Sequence, residues 1–404
     1  MHVLSDVLLP PASLAEAARS PHWAAAELDS ARDAESLGVF GYLPAQALDA
    51  VLRELASRLA GPRYSDRAIV EARTRLSAQV GIRRGEARWT AMTALLRRRH
   101  PVDALPCDVP SPEHLTGVEP AWVRALHGSR LSPRGAVLVL VGDFPAAGIA
   151  QLAEEALAEW QGCEAPAHVP ASAPVAQHEV VLIDRPRSAQ AEIVLVGPAL
   201  HRTHERRPAL DVANTVFGGG IASRLGLNVR EDKGFAYLTA SAIEVLAGSP
   251  ATVVRLAASE AHAAAALAET RGELTAMTES PPSPEEMAAA KRLLAGQANT
   301  AAASPSSLAT LLVNLAAEGA DPSSWLADYG DRLAAVHADD VATAAATYFD
   351  PGALDTAVVG DAEALAGPLE KVPGVRVRRC AGLHEVTASA AHSAASRSFE
   401  EARR

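Results

Sequence analysis

Phe217-Gly218-Gly219-Gly220-Ile221-Ala222-Ser223-Arg224-Leu225, followed after two intervening residues by Asn228-Val229-Arg230-Glu231-Asp232-Lys233-Gly234-Phe235-Ala236-Tyr237, is the stretch that decides the fold of this 404-residue chain. An apolar helix runs into three consecutive glycines. That pattern marks a helix C-cap and a place where two backbones approach closely. Ser223 is placed to cap the next helix. Gly234 breaks that helix, so Tyr237 begins the following strand. Arg230 and Tyr237, seven residues apart, flank the break.

Upstream of this stretch, apolar runs at 179–184 and 191–196 read as strands that lead into the glycine-terminated helix. The same grammar occurs twice. Ser132-Pro133-Arg134-Gly135-Ala136 runs into Leu138-Val139-Leu140-Val141-Gly142-Asp143, and Asp350-Pro351-Gly352-Ala353 runs into Thr356-Ala357-Val358-Val359-Gly360-Asp361; 351 − 133 and 361 − 143 both give 218. Ser65-Asp66-Arg67-Ala68-Ile69 and Ser283-Pro284-Glu285-Glu286-Met287 both open helices behind a capping serine, again 218 apart. A period this long means duplicated domains. The first half reads as helices at 45–60, 65–84 and 112–128, a strand at 136–142 and a helix at 145–160. The second reads as helices at 258–278, 283–301, 306–317 and 337–348 and a strand at 354–359.

The expected fold is α+β: two duplicated domains, each a mostly antiparallel sheet covered by helices. The expected boundaries are 1–160, a Pro/Ala-rich linker at 161–178, 179–380, and a disordered tail at 381–404. Subtracting 218 from the second half's opening strands and helix gives numbers below 1. The first domain is therefore expected to be N-terminally incomplete: either it is degenerate or its start lies upstream.

The chain is acidic, with net charge −11, and has no concentrated basic stripe, which argues against nucleic-acid binding. Its densest cationic run, Arg97-Arg98-Arg99-His100, ends a helical stretch, where positive charge suits the dipole. Cys107, Cys163 and Cys380 stand far apart, giving neither a zinc knuckle nor a disulfide framework. No run approaches a membrane span. The reading is a soluble cytoplasmic protein.

The 217–237 stretch resembles the "GGG-x-x-SRL…LRE-x-KG-x-AY" signature of the second domain of M16 (insulinase- and mitochondrial-processing-peptidase-like) metallopeptidases. Arg185-Pro186 with Gln190, Trp160 and the two Val-Gly-Asp phrases fit the same family. The resemblance implies that Arg230 and Tyr237 are the substrate-side catalytic pair, with Gly218, Gly219, Gly220, Ser223 and Arg224 as substrate-binding neighbours. Catalysis in the family also needs His-x-x-Glu-His, two zinc-binding histidines on one helical face with a glutamate general base between them. That motif is absent here. The nearest string, His201-Arg202-Thr203-His204-Glu205, lies in a polar loop and reads as surface. His2 is either the second histidine of a clipped motif or an ordinary residue near the terminus. The family's distal glutamate ligand would fall at Gln79, a neutral amide.

The resemblance therefore points to the subunit type that grips substrate without binding metal. It implies no cofactor in this chain, zinc in an HxxEH-bearing partner, a heterodimer enclosing a chamber, and a peptide substrate paired with an edge strand of that partner. The rival expectation is an inactive structural subunit of the same family.

Overall fold

In the computed structural model, which describes residues 2–9, 21–32, 36–99, 112–144, 146–161 and 179–386, the duplication is visible element by element. The first half holds α1 (His2–Leu8), α2 (Pro21–Ala24), β1 (Glu27–Arg32), β2 (Leu37–Tyr42), α3 (Leu48–Ala60), α4 (Asp66–Arg84), α5 (Ala87–Arg99), α6 (Pro112–Thr116), α7 (Pro120–Arg130) and α8 (Ala146–Leu157). The second holds β3 (Glu179–Asp184), β4 (Gln190–Pro198), α9 (Arg207–Phe217), a π-helix (Gly226–Asp232), β5 (Ala236–Leu246) and β6 (Ser249–Ser259). It continues with α10 (Ala263–Glu279), α11 (Pro284–Ala302), α12 (Pro305–Ala317), α13 (Pro322–Ala334), α14 (Ala338–Tyr348), β7 (Asp355–Gly360), α15 (Ala362–Glu370) and β8 (Arg376–Cys380).

The pairs α4/α11, α5/α12 and α7/α14 match at both ends with the 218-residue offset. The serines expected to cap the first pair do so. Ser65 Oγ accepts from the Ala68 N–H (3.2 Å), and Ser283 exchanges hydrogen bonds with Glu286 as a reciprocal capping box. The 112–128 helix of the sequence reading is two helices, because Gly117 ends one and Pro120 at N1 starts the other.

The chain divides into two compact units, Met1–Arg83 with Val109–Val169 and Ala301–Ala317, and Arg84–Asp108 with Pro170–Thr300 and Glu318–Arg404. The units cut across the sequence halves at two matching places. α5, encoded in the first half, belongs to the second unit, and its repeat partner α12 belongs to the first.

The second unit is built on a six-stranded mixed sheet in the order β5-β6-β4-β7-β3-β8. The β5–β6, β6–β4 and β4–β7 ladders are antiparallel; β7–β3 and β3–β8 are parallel. The unbroken apolar runs Val180–Ile183 and Ile193–Val196 are buried throughout, which requires cover on both faces. On one face, Ala91, Ala94 and Leu95 of α5 pack on Val181, Ile183, Val194, Val196, Val253, Ala357 and Val359. Helices α9, α10 and α15 lie against strands of the same sheet.

The first unit has, among its described residues, a single two-stranded sheet, β1–β2. Its main core joins Val3, Leu4 and Val7 of α1 to Ile69, Ala72, Leu76 and Val80 of α4, with Leu115 and Val123. Helix α1 is a correction to the single-offset arithmetic, which left no opening helix. Its end lies 209 residues before the end of α9, and β1 begins 209 residues before β5, because β1 and β2 have six residues each where β5 and β6 have eleven. The strand expected at 136–142 does not form. Its counterpart β7 pairs with β3 and β4, and the described residues of the first unit hold no strand beyond β1 and β2 for it to join. Without a ladder the apolar run has nothing to bond to, and Val137 and Leu138 stay 41% and 46% exposed.

The linker reading at 162–178, Cys107, Cys163, His100 and the tail beyond Val386 lie outside the described residues. Among the described residues no helix is long and apolar enough to cross a membrane.

Candidate functional site

The glycines after α9 serve close approach. A Cβ on Gly218 would stand 2.7 Å from the Ser241 Cβ, and one on Gly219 would stand 2.8 Å from the Thr215 Cα. The segment is stapled to β5: Ser241 N–H donates to Gly218 O (2.8 Å), Asn214 Nδ2 donates to Ser241 O (3.2 Å), and Ser241 Oγ donates to Asn214 Oδ1 (2.5 Å). Ser223 is buried, and its hydroxyl accepts from Gly226 N–H, the cap expected of it. The Arg224 guanidinium makes two hydrogen bonds to Glu286 (2.6 and 2.8 Å), tying the loop to α11 and holding that carboxyl below the usual carboxylate range. In the free chain, then, Gly218, Gly219, Ser223 and Arg224 make contacts that shape this loop.

The helix after Ser223 is a π-helix, Gly226–Asp232, a form that recurs at functional sites. Gly226 permits it, since a Cβ there would meet Ile221 O at 2.5 Å. Its outer side is fastened to α10. Asn228 Nδ2 donates to Glu273 (2.6 Å) and Glu269 (3.2 Å), and Lys233 Nζ stands 2.5 Å from Glu269, whose carboxyl is lowered chiefly by that contact. Phe235 N–H donates to Val229 O (2.9 Å), and Gly234 takes φ +62°, so the chain doubles back between Arg230 and Tyr237. Arg230 keeps a half-exposed side chain, with Nε 3.3 Å from Glu231.

Tyr237 is the second residue of β5, as the break at Gly234 predicts. The ladder slips around it: Ala236 pairs with Ala258, and Leu238 with Ala257. Tyr237 is the unpaired residue of a β-bulge, a device that re-aims a side chain. Its ring is 58% exposed, and its hydroxyl donates to Gln190 Oε1 at 3.1 Å.

A family model described as the peptidase M16 inactive domain matches residues 118–294. An uncharacterized zinc protease of Streptomyces coelicolor is 52% identical over 58 residues, a stretch that spans 14% of this chain and only 12% of that protein. Among solved structures, a peptidase M16 inactive domain from Pseudomonas fluorescens superposes with a TM-score of 0.78 at 18% identity, covering 89% of this chain and 87% of that one. A chain of complex III2 from Candida albicans does so with 0.74 at 14% identity, covering 90% and 86%. Residues 118–294 are thus similar to the M16 inactive domain, and the chain shares the fold of solved M16 structures.

M16 peptidases carry zinc on the opening helix of the first domain, and α1 and α4 hold the residues to be tested for it. Asp6 of α1 pairs with Arg75 of α4 at 3.1 Å. About one helical turn along from these lie His2 on α1 and Gln79 on α4. Burial, followed by the guanidinium of Arg32 and more weakly that of Arg83, pushes the His2 ring down to about 3. Arg32 Nε is itself buried without a hydrogen-bond partner. Two cationic side chains acting on one imidazole do not fit a zinc ion, which needs anionic or neutral ligands in a negative field. Among the described residues no group of three His, Cys, Asp or Glu side chains could hold a metal. His204, in the transposed string, uses its ring instead to accept from Arg206 N–H (3.1 Å).

The M16 reading of the sequence took Gln190 as part of a domain opening and missed its contact with Tyr237. Forty-seven residues separate the two. Only the strand register, Gln190 opposite Ser259 and Ala236 opposite Ala258, brings them to one end of the sheet.

Proposed function

We propose that this chain is the non-zinc-binding subunit of a heterodimeric M16 peptidase, supplying Arg230 and Tyr237 to a partner that carries His-x-x-Glu-His. The observation that supports this most is the way Tyr237 is displayed. A bulge and a π-helix, both departures from regular structure, leave a tyrosine hydroxyl and a guanidinium half-exposed on either side of one tight reversal. Folding alone gives no reason for either side chain to be there.

In this reading Tyr237 donates its hydroxyl to the oxyanion formed as the peptide carbonyl is attacked, and Arg230 donates to a neighbouring substrate carbonyl. The partner's zinc supplies the activated nucleophile. Gly218, Gly219, Gly220, Ser223 and Arg224 form the loop against which the peptide lies. Tyr237→Phe, assayed in the full chain reconstituted with the HxxEH homologue, should lower kcat about 10²–10³-fold with little change in KM. Arg230→Ala should weaken both. Full activity of an assembled Tyr237→Phe pair would falsify the catalytic role.

The matched model's description as an inactive domain and the likeness to a complex III2 chain favour a second reading, an assembly subunit without catalysis. Under it the chain should form a stable complex whose stability and composition are insensitive to Arg230 and Tyr237.

A further inference from the structure

A phenolic hydroxyl has one proton to give. In the free chain, Tyr237 spends it on Gln190 Oε1. If Tyr237 is to donate to a substrate, that proton must be released, and the group that holds it must tolerate the release.

The backbone around Gln190 is fixed. The residue pairs with Ser259 in the β4–β6 ladder, and its carbonyl accepts from Ser188 Oγ (2.7 Å). Glu260 N–H donates to Ala189 O (3.1 Å). The preceding turn is closed by Ser188 N–H to Arg185 O (3.2 Å) and moored to the end of β7 by Arg185 N–H to Gly360 O (2.8 Å) and Arg187 N–H to Asp361 Oδ2 (2.7 Å). Arg187, after Pro186, sits at φ +62°, a conformation that type II turns ordinarily give to glycine at this position. Backbone held in this sparsely populated region is over-determined by its surroundings. The mobile part of Gln190 is therefore its exposed carboxamide.

We propose that Gln190 is a positioning residue that switches the Tyr237 hydroxyl between two hydrogen-bonding states, an inference that rests on the catalytic reading of Tyr237. Before substrate binds, Oε1 accepts the hydroxyl proton. When a substrate carbonyl arrives, the carboxamide turns about its terminal torsion and presents an Nε2–H to the phenolic oxygen. The one hydroxyl proton then points to the substrate, and the oxygen remains hydrogen-bonded. Glutamine can do this because its carboxamide both accepts and donates. Donation to the phenolic oxygen also polarises the O–H toward its new acceptor.

Glutamate and methionine separate the two states. Gln190→Glu can only accept, so it should keep the hydroxyl turned away and lower kcat about 10²-fold, toward the Tyr237→Phe value. Gln190→Met neither accepts nor donates and should lose about tenfold or less. Both should leave KM nearly unchanged. Gln190→Glu added to Tyr237→Phe should slow the pair no further, whereas a merely structural residue would add its own loss. The assay uses the full chain co-expressed with the HxxEH homologue from the same genome and a quenched fluorescent peptide. On the full chain alone, the tyrosine Fermi doublet of the Raman spectrum, taken as wild type minus Tyr237→Phe, should report a donor hydroxyl that changes state in Gln190→Met. Gln190→Glu at wild-type kcat while Tyr237→Phe is impaired overturns the role of Gln190 and leaves the catalytic reading standing. A doublet identical in wild type and Gln190→Met also overturns it. An unimpaired Tyr237→Phe overturns the catalytic reading itself.

Discussion

Asp355, the first residue of β7, has no exposed surface, and Arg98 reaches it from α5 with Nε 3.1 Å from its carboxylate. Arg98 also meets Glu179 (2.7 Å), while Arg99 donates to Val196 O (3.0 Å) and Arg97 to Leu383 O (2.7 Å). The sequence reading placed these arginines correctly at a helix end but gave them only the helix dipole as a partner. Periodicity cannot tell a solvated guanidinium from one buried against a carboxylate hundreds of residues away. The Arg230/Tyr237 spacing was legible because both lie within one local phrase; Gln190 was not, because its contact depends on register. Burial, only partly offset by Arg98 and Arg99, raises the Asp355 carboxyl to about 6. A folded value above the unfolded one means a contribution fully present below about 4 and lost as pH rises through about 6. Asp355→Asn imitates the neutral form. Leaving Arg98 with one partner fewer should destabilise it in absolute terms. The stability difference between variant and wild type should nevertheless move in the variant's favour by about 3 kcal/mol between pH 4 and pH 7. Urea midpoints across that range test this; parallel curves would show that Asp355 is not the titrating group.

Among the elements, α5 and α12 show what decides whether a repeated helix is buried. Both have thirteen residues. In α5, Ala91, Ala94 and Leu95 are fully buried against a complete six-stranded sheet. In α12, which belongs to the unit with two described strands, Leu315 alone is fully buried, although the helix is the more apolar of the two. Helix existence and bounds were legible because capping serines, prolines and the 218-residue offset act locally. The missing strand at 136–142 was not, because a strand is a property of its neighbours. The π-helix was hidden for a related reason: Gly226 permits it, and contacts to Glu269 and Glu273 hold it. Leu95→Ala should lower unfolding stability by about 2–5 kcal/mol, the range for deleting a buried leucine side chain. Leu311→Ala, at a partly exposed site on α12, should cost clearly less. Equal losses in thermal or urea unfolding would mean that the two helices are packed alike.

For the whole molecule, the cationic surroundings of His2 set an expectation that metal analysis can check: the purified chain, dialysed without chelator, should hold no stoichiometric zinc. About one zinc per chain, lost on changing His2, would overturn that reading of the α1 locus, and loss on changing His201 or His204 would relocate the site. The exchange of α5 and α12 between sequence halves bears on how the protein is made. Helix α5 ends at Arg99, and β8, the last strand of the sheet it covers, begins at Arg376, 277 residues later. At about 5–20 residues per second, a ribosome leaves Leu95 and the arginine pair waiting roughly 15–55 s for the surface that buries them. Nascent α5 is therefore a natural client for a holding chaperone. The gene should also tolerate being cut in the 162–178 region only if both fragments are made together. Residues 179–404 expressed alone should be poorly folded by circular dichroism and should recover when 1–161 is supplied in trans; a stable, cooperative 179–404 fragment would show that its sheet does not need α5.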